Sequence, residues 1–228
     1  MGYSTFLLDL DHTLLDSDTS ESLAFAQTMR AVGINDPDRY MDDYRTINLD
    51  LWAKVERGEL NPQQVRTLRF ERFVAQEKID ADPKQMSEDF VRGLGANGNL
   101  YRGARQVLNQ LHGRCRLALV TNGLSEVQRA RINRLEILKY FEAIVISAEV
   151  GVAKPGRKIF DIVFAELGAP PLDEVLMVGD SLSSDIKGGN NYGISTCWYN
   201  PKRRVLEAGF QPNYEIYDLD ELLELVGF

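Results

Sequence analysis

The sequence predicts an α/β protein with a doubly wound, mostly parallel sheet, into which an all-helical segment is inserted after the first strand. Two observations support this prediction. From residue 103 onward, short apolar runs alternate with segments of helical periodicity, the order that gives βαβ units and a parallel sheet. Between a first apolar run and that alternation lies a long stretch with helix signals and no convincing strand.

The first strand is predicted at Phe6 to Leu8, where a short apolar run ends at two aspartates. Asp9 and Asp11 are two residues apart, so on an extended backbone their side chains leave the same face. Two neighbouring carboxylates repel each other and are costly to bury. The pair therefore needs a cation, a shared proton or both, unless it is only a polar turn after the strand.

The stretch that follows is predicted to be helical throughout. Apolar residues recur at roughly helical spacing from Ser20 to Val32. Three later stretches pair an Asp or Asn cap with a proline in the first turn, which is a good helix start. These starts are Asp36-Pro37, Asn61-Pro62 and Asp82-Pro83.

The glycine-rich stretch from Gly93 to Gly98 matches G-x-G-x-x-G, the fingerprint of dinucleotide-binding loops. That motif should follow a strand and open a helix, whereas here it follows a helical pattern and leads into polar Asn99. We therefore predict a flexible hinge or loop. The predicted domains are a helical domain at residues 17–96, called the helical segment below, and an α/β domain made of residues 1–16 and 97–228.

The second half of the chain supplies the remaining strands and the helices between them. Strands are predicted at 116–120, 143–146, 175–178, 194–198 and 214–217, the last of them at a sheet edge. Helices are predicted at 103–111, 125–135, 156–167 and 184–192. Two starts carry a capping-box pattern, Ser125 with Gln128 and Asp218 with Glu221, the second opening a final helix.

Composition excludes several classes of function. A formal net charge of −8 argues against a binder of nucleic-acid polymers or of membrane surfaces. The sequence offers neither a run apolar enough to span a membrane nor a signal-peptide pattern, so we expect a cytoplasmic protein, either a monomer or a small homo-oligomer. With only two histidines, acid–base chemistry falls largely on carboxylates.

Polar side chains follow each of the first four predicted strands. In a parallel sheet the carboxyl ends of the strands face one crevice, where ligands bind. Taken singly, each group reads as a turn, a loop lysine or a helix cap, but their coincidence at one edge predicts a shared active site. The groups are Asp9 and Asp11, Thr121 and Asn122, Lys154, and Asp180 with Asp185.

This inventory points to phosphoryl transfer. Several carboxylate oxygens without a soft ligand select a hard cation such as Mg²⁺. Magnesium with a lysine and hydroxyl donors suits a phosphoryl group, for which positioning and charge neutralisation dominate catalysis. One aspartate of the first pair can then act as a nucleophile through an aspartyl-phosphate, and its neighbour can act as acid and base.

The motifs resemble those of the haloacid dehalogenase (HAD) superfamily of phosphatases. Asp9-Leu10-Asp11-His12-Thr13 is followed in order by a strand ending in Thr121, by Lys154-Pro155, and by Gly179-Asp180 with Asp185. The resemblance covers the whole chain and implies a Rossmann-like core with the helical segment as a mobile cap. The segments 47–52 and 145–155 look most like the pyrimidine 5′-nucleotidase branch. That branch removes phosphate from pyrimidine nucleoside monophosphates.

The resemblance also implies residue roles. Asp9 would be the nucleophile and Asp11 the acid/base, while Thr121 and Lys154 would hold the phosphoryl oxygens. Magnesium would be bound by Asp9, the main-chain carbonyl of Asp11, and Asp180. Asp185 would be either a further ligand or a residue behind the ligands.

Asn48 and Trp52 are the substrate-binding candidates in the helical segment, alongside Asn122 at the sheet. They are four residues apart and share one face of the helix predicted after Pro37. An aromatic face can stack on a nucleobase, and an amide can read its edge. The alternative for Trp52 is a core position that holds the helices together.

Other activities stay open at this point. A sugar- or glycolate-type phosphatase or a phosphomutase would use the same motifs. A 2-haloacid dehalogenase would not need Asp11 or a magnesium site with Asp180. A phospho-aspartate receiver would have no reason for an insertion of about 75 residues, far beyond an ordinary connection.

Overall fold

The computed structural model describes residues 2–226. Its centre is a six-stranded sheet in the order β3-β2-β1-β4-β5-β6, and every neighbouring pair runs parallel. The predicted doubly wound, mostly parallel α/β fold is therefore confirmed. The strands are β1 (Thr5–Leu8), β2 (Arg116–Thr121), β3 (Ala143–Ile146), β4 (Val175–Gly179), β5 (Ser195–Tyr199) and β6 (Tyr214–Ile216).

The α-helices lie in the helical segment and on the two faces of the sheet. No helix of residues 2–226 combines the length and the apolar character needed to cross a membrane. The helices are α1 (Ser17–Ala31), α2 (Met41–Glu56), α3 (Pro62–Glu77), α4 (Pro83–Ala96), α5 (Ala104–Leu111), α6 (Ser125–Arg134), α7 (Ser147–Val150), α8 (Arg157–Glu166) and α9 (Lys187–Tyr192).

Alternating residues of the strands build two separate cores. Phe6 and Leu8 of β1 face a cluster that includes α5, whereas Leu7 between them faces a cluster built with α8. Successive side chains of a strand leave opposite faces, so strands that are apolar at every position need cover on both sides. This explains why the strands read as continuous apolar runs.

Strand β1 marks the point where the sheet changes direction. It pairs with β2 on one side and β4 on the other, so successive connections wind outward from it both ways. In sheets of this kind the ligand crevice lies outside the carboxyl ends of the strands at that point. Asp9 follows β1 and Asp180 follows β4, which places both at the crevice.

The helical segment has a core of its own, made largely of aromatic rings. Tyr44 is fully buried and lies within 5.3 Å of Phe90 and 5.7 Å of Phe70, measured between ring centroids. Phe25 of α1 lies 4.6 Å from the Tyr44 ring. These contacts join all four helices around Tyr44, so the segment does not depend on the sheet for its apolar interior.

The helix starts agree with the sequence in part. Asn61 and Gln64 form a full capping box, and the Asp82 carboxylate caps α4. The helix predicted after Pro37 begins with a 3₁₀ turn, so that α2 starts only at Met41. The final helix keeps its capping box at Asp218 but is 3₁₀ rather than α.

The capping box predicted at Ser125 is wrong. The Ser125 hydroxyl donates to Glu149 instead, and the Gln128 amide is turned toward the ends of β1 and β2. The helix predicted at 184–192 is also divided. A π-turn, Leu182–Ile186, precedes α9.

The prediction of a loop at Gly93 is wrong for the first four residues. Helix α4 continues to Ala96, so Gly93 and Gly95 are helical and buried. A Cβ atom at Gly93 would lie 2.9 Å from both Cα and Cβ of Ala24. Glycine is thus required because α1 and α4 pack backbone to backbone there, and not because the chain bends.

Gly93→Ala tests this packing role. Alanine favours a helix interior intrinsically, but here its methyl group would force α1 and α4 apart. We expect the free energy of unfolding to fall by about 1–3 kcal/mol, measured by urea titration. Arg92→Ala, an exposed position on the same helix, is the control and should change it by less than about 0.5 kcal/mol. An unchanged or raised stability in Gly93→Ala would contradict the packing role.

Candidate active site

A cleft of about 400 Å³ lies between the helical segment and the carboxyl ends of the strands. The sheet side contributes side chains that follow β1, β2 and β4, and the helical segment contributes side chains of α1, α2 and α3. Most residues predicted as a site are thus brought to one place. Those that line the cleft are Asp9, Asp11, Asn48, Trp52, Asn122, Lys154 and Asp180.

Lys154 is an almost fully enclosed cation of the site, with 1% of the residue exposed. Its ammonium group donates to Asp9 Oδ1 at 2.7 Å, to Asp185 Oδ1 at 2.7 Å and to the Val120 carbonyl at 2.6 Å. All three ammonium protons therefore have acceptors. Burial alone would lower the pKa of Lys154, but the carboxylates of Asp185 and Asp9 raise it above its usual range.

The nucleophile candidate, Asp9, lies against this cation. Burial raises the pKa of Asp9 to about 8, and Asp185 and Asp11 add to the rise while Lys154 opposes it. The ion pair with Lys154 is shared with Asp185, so one ammonium serves two buried carboxylates. The cluster is therefore short of positive charge.

Asp180 is held beside this cluster by its main chain. Its N–H donates to Thr13 Oγ1 at 3.1 Å, and its carbonyl accepts from Trp198 Nε1 at 2.9 Å and from Arg204 at 2.8 Å. Burial raises the pKa of Asp180 to about 7, and Asp185 adds to the rise. The threonine of the D-x-D-x-T motif thus positions the loop after β4.

The acidic cluster fits a hard divalent cation. One oxygen atom each of Asp9, Asp180 and Asp185 lies within 4.8 Å of the others. Carboxylate oxygens without soft ligands suit Mg²⁺, and a bound cation would favour the ionised forms whose pKa values burial raises.

The three aspartates are not equivalent as metal ligands. Asp185 is fully buried, and its two oxygens already accept from Lys154 at 2.7 Å and from the Ser181 N–H at 3.0 Å. A Cβ at Gly179 would lie 2.1 Å from Asp185 Oδ2, so glycine is required for that carboxylate to fit. Asp185 is therefore suited to holding Lys154, which leaves Asp9 and Asp180 better placed to contact a cation.

Asp11 is held by a different set of donors. Its Oδ1 accepts from Ser17 Oγ at 2.5 Å and from Arg131 at 2.7 Å, and its Oδ2 accepts from Gln128 Nε2 at 2.6 Å. Burial would raise the pKa of Asp11, but Arg131 and these hydrogen bonds lower it below its usual value. The arrangement therefore stabilises the carboxylate form of Asp11, the form that a base requires.

Sequence reasoning missed Arg131 and Gln128 as site residues. Arg131 is 4% exposed and also donates to the Leu94 carbonyl at 3.0 Å and to Ser20 Oγ at 2.9 Å. One guanidinium thus joins Asp11 to α1 and α4. Their spacing was a detectable sign that they belong to the site. Gln128 and Arg131 are three residues apart on α6 and so share a face, and both are long hydrogen-bond donors soon after the Thr121 strand end.

Thr121 and Asn122 lie at the end of β2 but have structural partners. Thr121 is fully buried, and its Oγ1 accepts from Gln128 at 2.9 Å, which leaves its own hydroxyl proton for a second acceptor. Asn122 exchanges two hydrogen bonds of 2.9 Å with the main chain of Lys154. Its amide therefore fixes the loop that carries the lysine.

Asn48 and Trp52 both lie on α2 and line the cleft. Trp52 is half-buried and also packs against the core of the helical segment. It therefore both lines the cleft and contributes to the packing of the helices. Asn48 is 9% exposed, and its Nδ2 donates to Glu21 Oε1 at 2.6 Å. Glu21 of α1 and Arg69 of α3 also line the cleft, and the sequence patterns did not indicate either.

Comparison with known proteins agrees with this geometry. The profile of the haloacid dehalogenase-like hydrolases matches residues 3–193. The pyrimidine 5′-nucleotidase YjjG of Escherichia coli (strain K12) is 34% identical over 226 residues, which cover 99% of this chain and 99% of the relative. The pyrimidine 5′-nucleotidase PynA of Streptococcus pneumoniae is 33% identical over 225 residues, which cover 98% of this chain and 95% of the relative.

A solved structure is also similar over its full length. The HAD-hydrolase YfnB of Bacillus subtilis, crystallised with magnesium, superposes with a TM-score of 0.92 at 31% identity and covers 100% of both chains. The family resemblance of the motifs is thereby confirmed. This chain belongs to the haloacid dehalogenase-like hydrolases.

Proposed function

We propose that this protein is a magnesium-dependent phosphomonoester hydrolase that works through an aspartyl-phosphate and acts on pyrimidine nucleoside 5′-monophosphates. The observation that carries the proposal is the meeting of Asp9, Asp11 and Lys154 with Asp180 in one cleft. The substrate class is supported by similarity to two pyrimidine 5′-nucleotidases that match nearly the whole chain.

In the first step a carboxylate oxygen of Asp9 attacks the phosphorus atom. The bond from phosphorus to the leaving oxygen breaks, and that oxygen takes a proton from Asp11 in its protonated form. Lys154, which donates to Asp9 at 2.7 Å, holds the attacking carboxylate in place. Asp11 becomes the carboxylate that Arg131 and Gln128 are arranged to hold.

In the second step Asp11 acts as a base. It takes a proton from a water molecule that attacks the phosphorus, the bond to Asp9 breaks, and orthophosphate leaves. The Thr121 hydroxyl proton and the Lys154 ammonium are proposed to bind phosphoryl oxygens. Asn122 is proposed to support binding through the Lys154 loop, with which it exchanges two hydrogen bonds.

The proposed magnesium would be held by Asp9, Asp180 and the main-chain carbonyl of Asp11, with Asp185 behind them. When bound, the ion would neutralise charge on the phosphoryl group and on the surrounding carboxylates. The raised pKa values of Asp9 and Asp180 support this assignment, since both carboxylates need more positive charge than Lys154 supplies.

We also propose that residues 17–96 form a cap domain over a core domain of residues 1–16 and 97–228. The separate aromatic core of α1 to α4 supports this division. The magnesium-bound crystal structure of YfnB reveals interdomain movement in that protein. A cap closing on the strand ends would exclude bulk water from the aspartyl-phosphate and present α2 to the leaving group.

The same contacts favour a phosphatase over a dehalogenase. Attack on carbon releases a halide, which needs no proton and so has no use for an acid at Asp11. Here Asp11 accepts three hydrogen bonds, one of them from a buried arginine. A carboxylate held in this way is suited to proton transfer, which a dehalogenase does not need at this position.

Asp9→Asn should abolish turnover of uridine monophosphate (UMP) while the protein stays folded. The amide cannot form the acyl-phosphate, so we expect kcat to fall roughly a thousandfold or more, equivalent to about 4 kcal/mol. Phosphate release and the urea unfolding midpoint are measured together. Asp161→Asn, an exposed aspartate on α8, is the matched control and should keep wild-type rates. Wild-type-like turnover by freshly purified Asp9→Asn would exclude Asp9 as the nucleophile.

Removal of divalent cations should stop catalysis reversibly. Without added charge the carboxylates of Asp9 and Asp180 repel each other and the incoming phosphate. We expect UMP hydrolysis to fall at least about a hundredfold after chelation, and to return with Mg²⁺ but not with Na⁺ at equal ionic strength. Binding of Mg²⁺ is measured separately by calorimetry, where Asp180→Asn should weaken it. Full activity after exhaustive chelation would remove the metal from the proposal.

Arg131→Met should slow catalysis more than it weakens binding. The variant leaves the Asp11 carboxylate without its guanidinium partner, so we expect kcat to fall about 10- to 100-fold with a small change in KM. Arg134→Met is the matched control, because Arg134 also joins α6 to the end of α4 through Gly95 and Asn97 but does not contact Asp11. Equal kcat losses in both variants would show that α6 contributes only to packing. Partial recovery of kcat in Arg131→Lys would support the role of charge.

A further inference from the structure

We propose that the end of the cleft formed by the helical segment recognises a lactam edge, with Asn48 Oδ1 accepting an N–H and Arg69 donating to the adjacent carbonyl. Uracil and thymine carry such an edge at N3–H and the C4 carbonyl. This inference rests on the proposed function and deepens it. It assigns Glu21 and Arg69 as residues that determine specificity.

An unsatisfied acceptor is the first observation. Among residues 2–226, the buried side-chain atoms without a hydrogen-bond partner are Thr5 Oγ1 and Asn48 Oδ1, and of these two residues only Asn48 lines the cleft. A buried acceptor left unpaired is unfavourable, and an incoming N–H would satisfy it. A ligand that brings a donor to this atom would therefore bind favourably here.

Glu21 determines which end of the Asn48 amide faces the ligand. A carboxylate accepts only, so the amide nitrogen of Asn48 must be the atom 2.6 Å from Glu21 Oε1. Burial raises the pKa of Glu21, and the guanidinium groups of Arg69 and Arg45 oppose that rise. With Nδ2 held in this way, Asn48 presents an oxygen and not a donor.

Arg69 supplies the complementary donor. It is 2% exposed and lines the cleft, and it donates from Nε to the Val65 carbonyl at 3.3 Å and from one terminal nitrogen to Tyr44 Oη at 3.3 Å. Its guanidinium lies 5.1 Å from the Phe90 ring centroid. No carboxylate of residues 2–226 forms an ion pair with it, so its other N–H groups remain for a ligand carbonyl.

An acceptor and a donor around one carboxylate select for a particular arrangement on the ligand. A lactam offers N–H and C=O side by side, and so it can pair with Asn48 and Arg69 together, since both residues line the cleft next to Glu21. Cytosine has no N3–H, so in the same orientation it cannot donate to Asn48 Oδ1 and matches the site less well. The inference therefore predicts UMP and thymidine monophosphate as better substrates than cytidine monophosphate.

The decisive experiment compares UMP with its N3-methyl derivative. Methylation removes the donor, so wild-type kcat/KM should fall roughly 10- to 100-fold, the effect of leaving one buried polar group unpaired. Asn48→Leu keeps the side-chain volume but has no acceptor. In that variant the kcat/KM values for UMP and for its N3-methyl derivative should differ by no more than about threefold. Thr46→Ala, an exposed change on the same helix, should keep the wild-type ratio.

A ratio that stays large in Asn48→Leu would overturn the proposal, because the methyl group would then be excluded by shape alone. A wild-type ratio near one would also overturn it, as would equal kcat/KM for UMP and cytidine monophosphate. Inosine monophosphate carries a lactam edge on a purine, so a higher kcat/KM for it would count against the proposed pyrimidine preference and not against the lactam edge. Hydrolysis of para-nitrophenyl phosphate by the wild type is measured in parallel. Absence of hydrolysis of both para-nitrophenyl phosphate and UMP would count against the proposed phosphatase function itself, independently of the lactam edge.

Arg69 is tested by the same comparison between substrates. Arg69→Met and Arg69→Lys should both lower the ratio of kcat/KM for UMP to that for para-nitrophenyl phosphate, by about tenfold or more in Arg69→Met. Arg69→Lys keeps a buried positive charge and is therefore the variant expected to fold if Arg69→Met does not. The urea unfolding midpoint shows whether each variant is folded. An unchanged ratio in a folded Arg69→Lys and a folded Arg69→Met would remove Arg69 from recognition.

Discussion

The buried ammonium group of Lys154 is the interaction on which the site depends. Its three acceptors are the Asp9 carboxylate after β1, the Val120 carbonyl in β2, and the Asp185 carboxylate after β4. A buried cation with fewer acceptors would be strongly unfavourable, so the three strand ends must stay together while the lysine is inside. Replacing such a cluster by apolar residues often stabilises a protein. Its presence here therefore argues for chemistry rather than for stability.

Close approach at this edge requires glycine at two strand ends. Gly179 leaves room for the Asp185 carboxylate, and Gly123 leaves room for the Gln128 amide, whose Nε2 would lie 2.8 Å from an added Cβ. In both places the missing side chain is replaced by a polar group that contacts Lys154 or Asp11. The two glycines therefore shape the site as much as the charged residues do.

The sequence was a good guide wherever one local pattern has one structural outcome. Buried strands, proline-initiated helices and the polar residues after each strand are of this kind, and so the sheet and its crevice were predictable. Gly93 and Gln128 were misread because glycine serves both bends and close packing, and glutamine serves both caps and distant partners. Only the position of Ala24 or of Asp11 decides between these uses. Local spacing can place Gln128 and Arg131 on one helix face, but it does not identify Asp11 as their partner.

Arg131 shows why the two halves of the cleft cannot be treated separately. Its guanidinium contacts Asp11 at the sheet, Ser20 on α1 and the Leu94 carbonyl on α4. A displacement of the helical segment would break two of these contacts and leave the third to hold Asp11 alone. The position of the segment therefore bears directly on the carboxylate that is proposed to exchange protons with the leaving group and with water. Since α1 also carries Glu21, whose carboxylate accepts from the Asn48 amide, the proposed leaving-group recognition and the proposed proton transfer both depend on this helix.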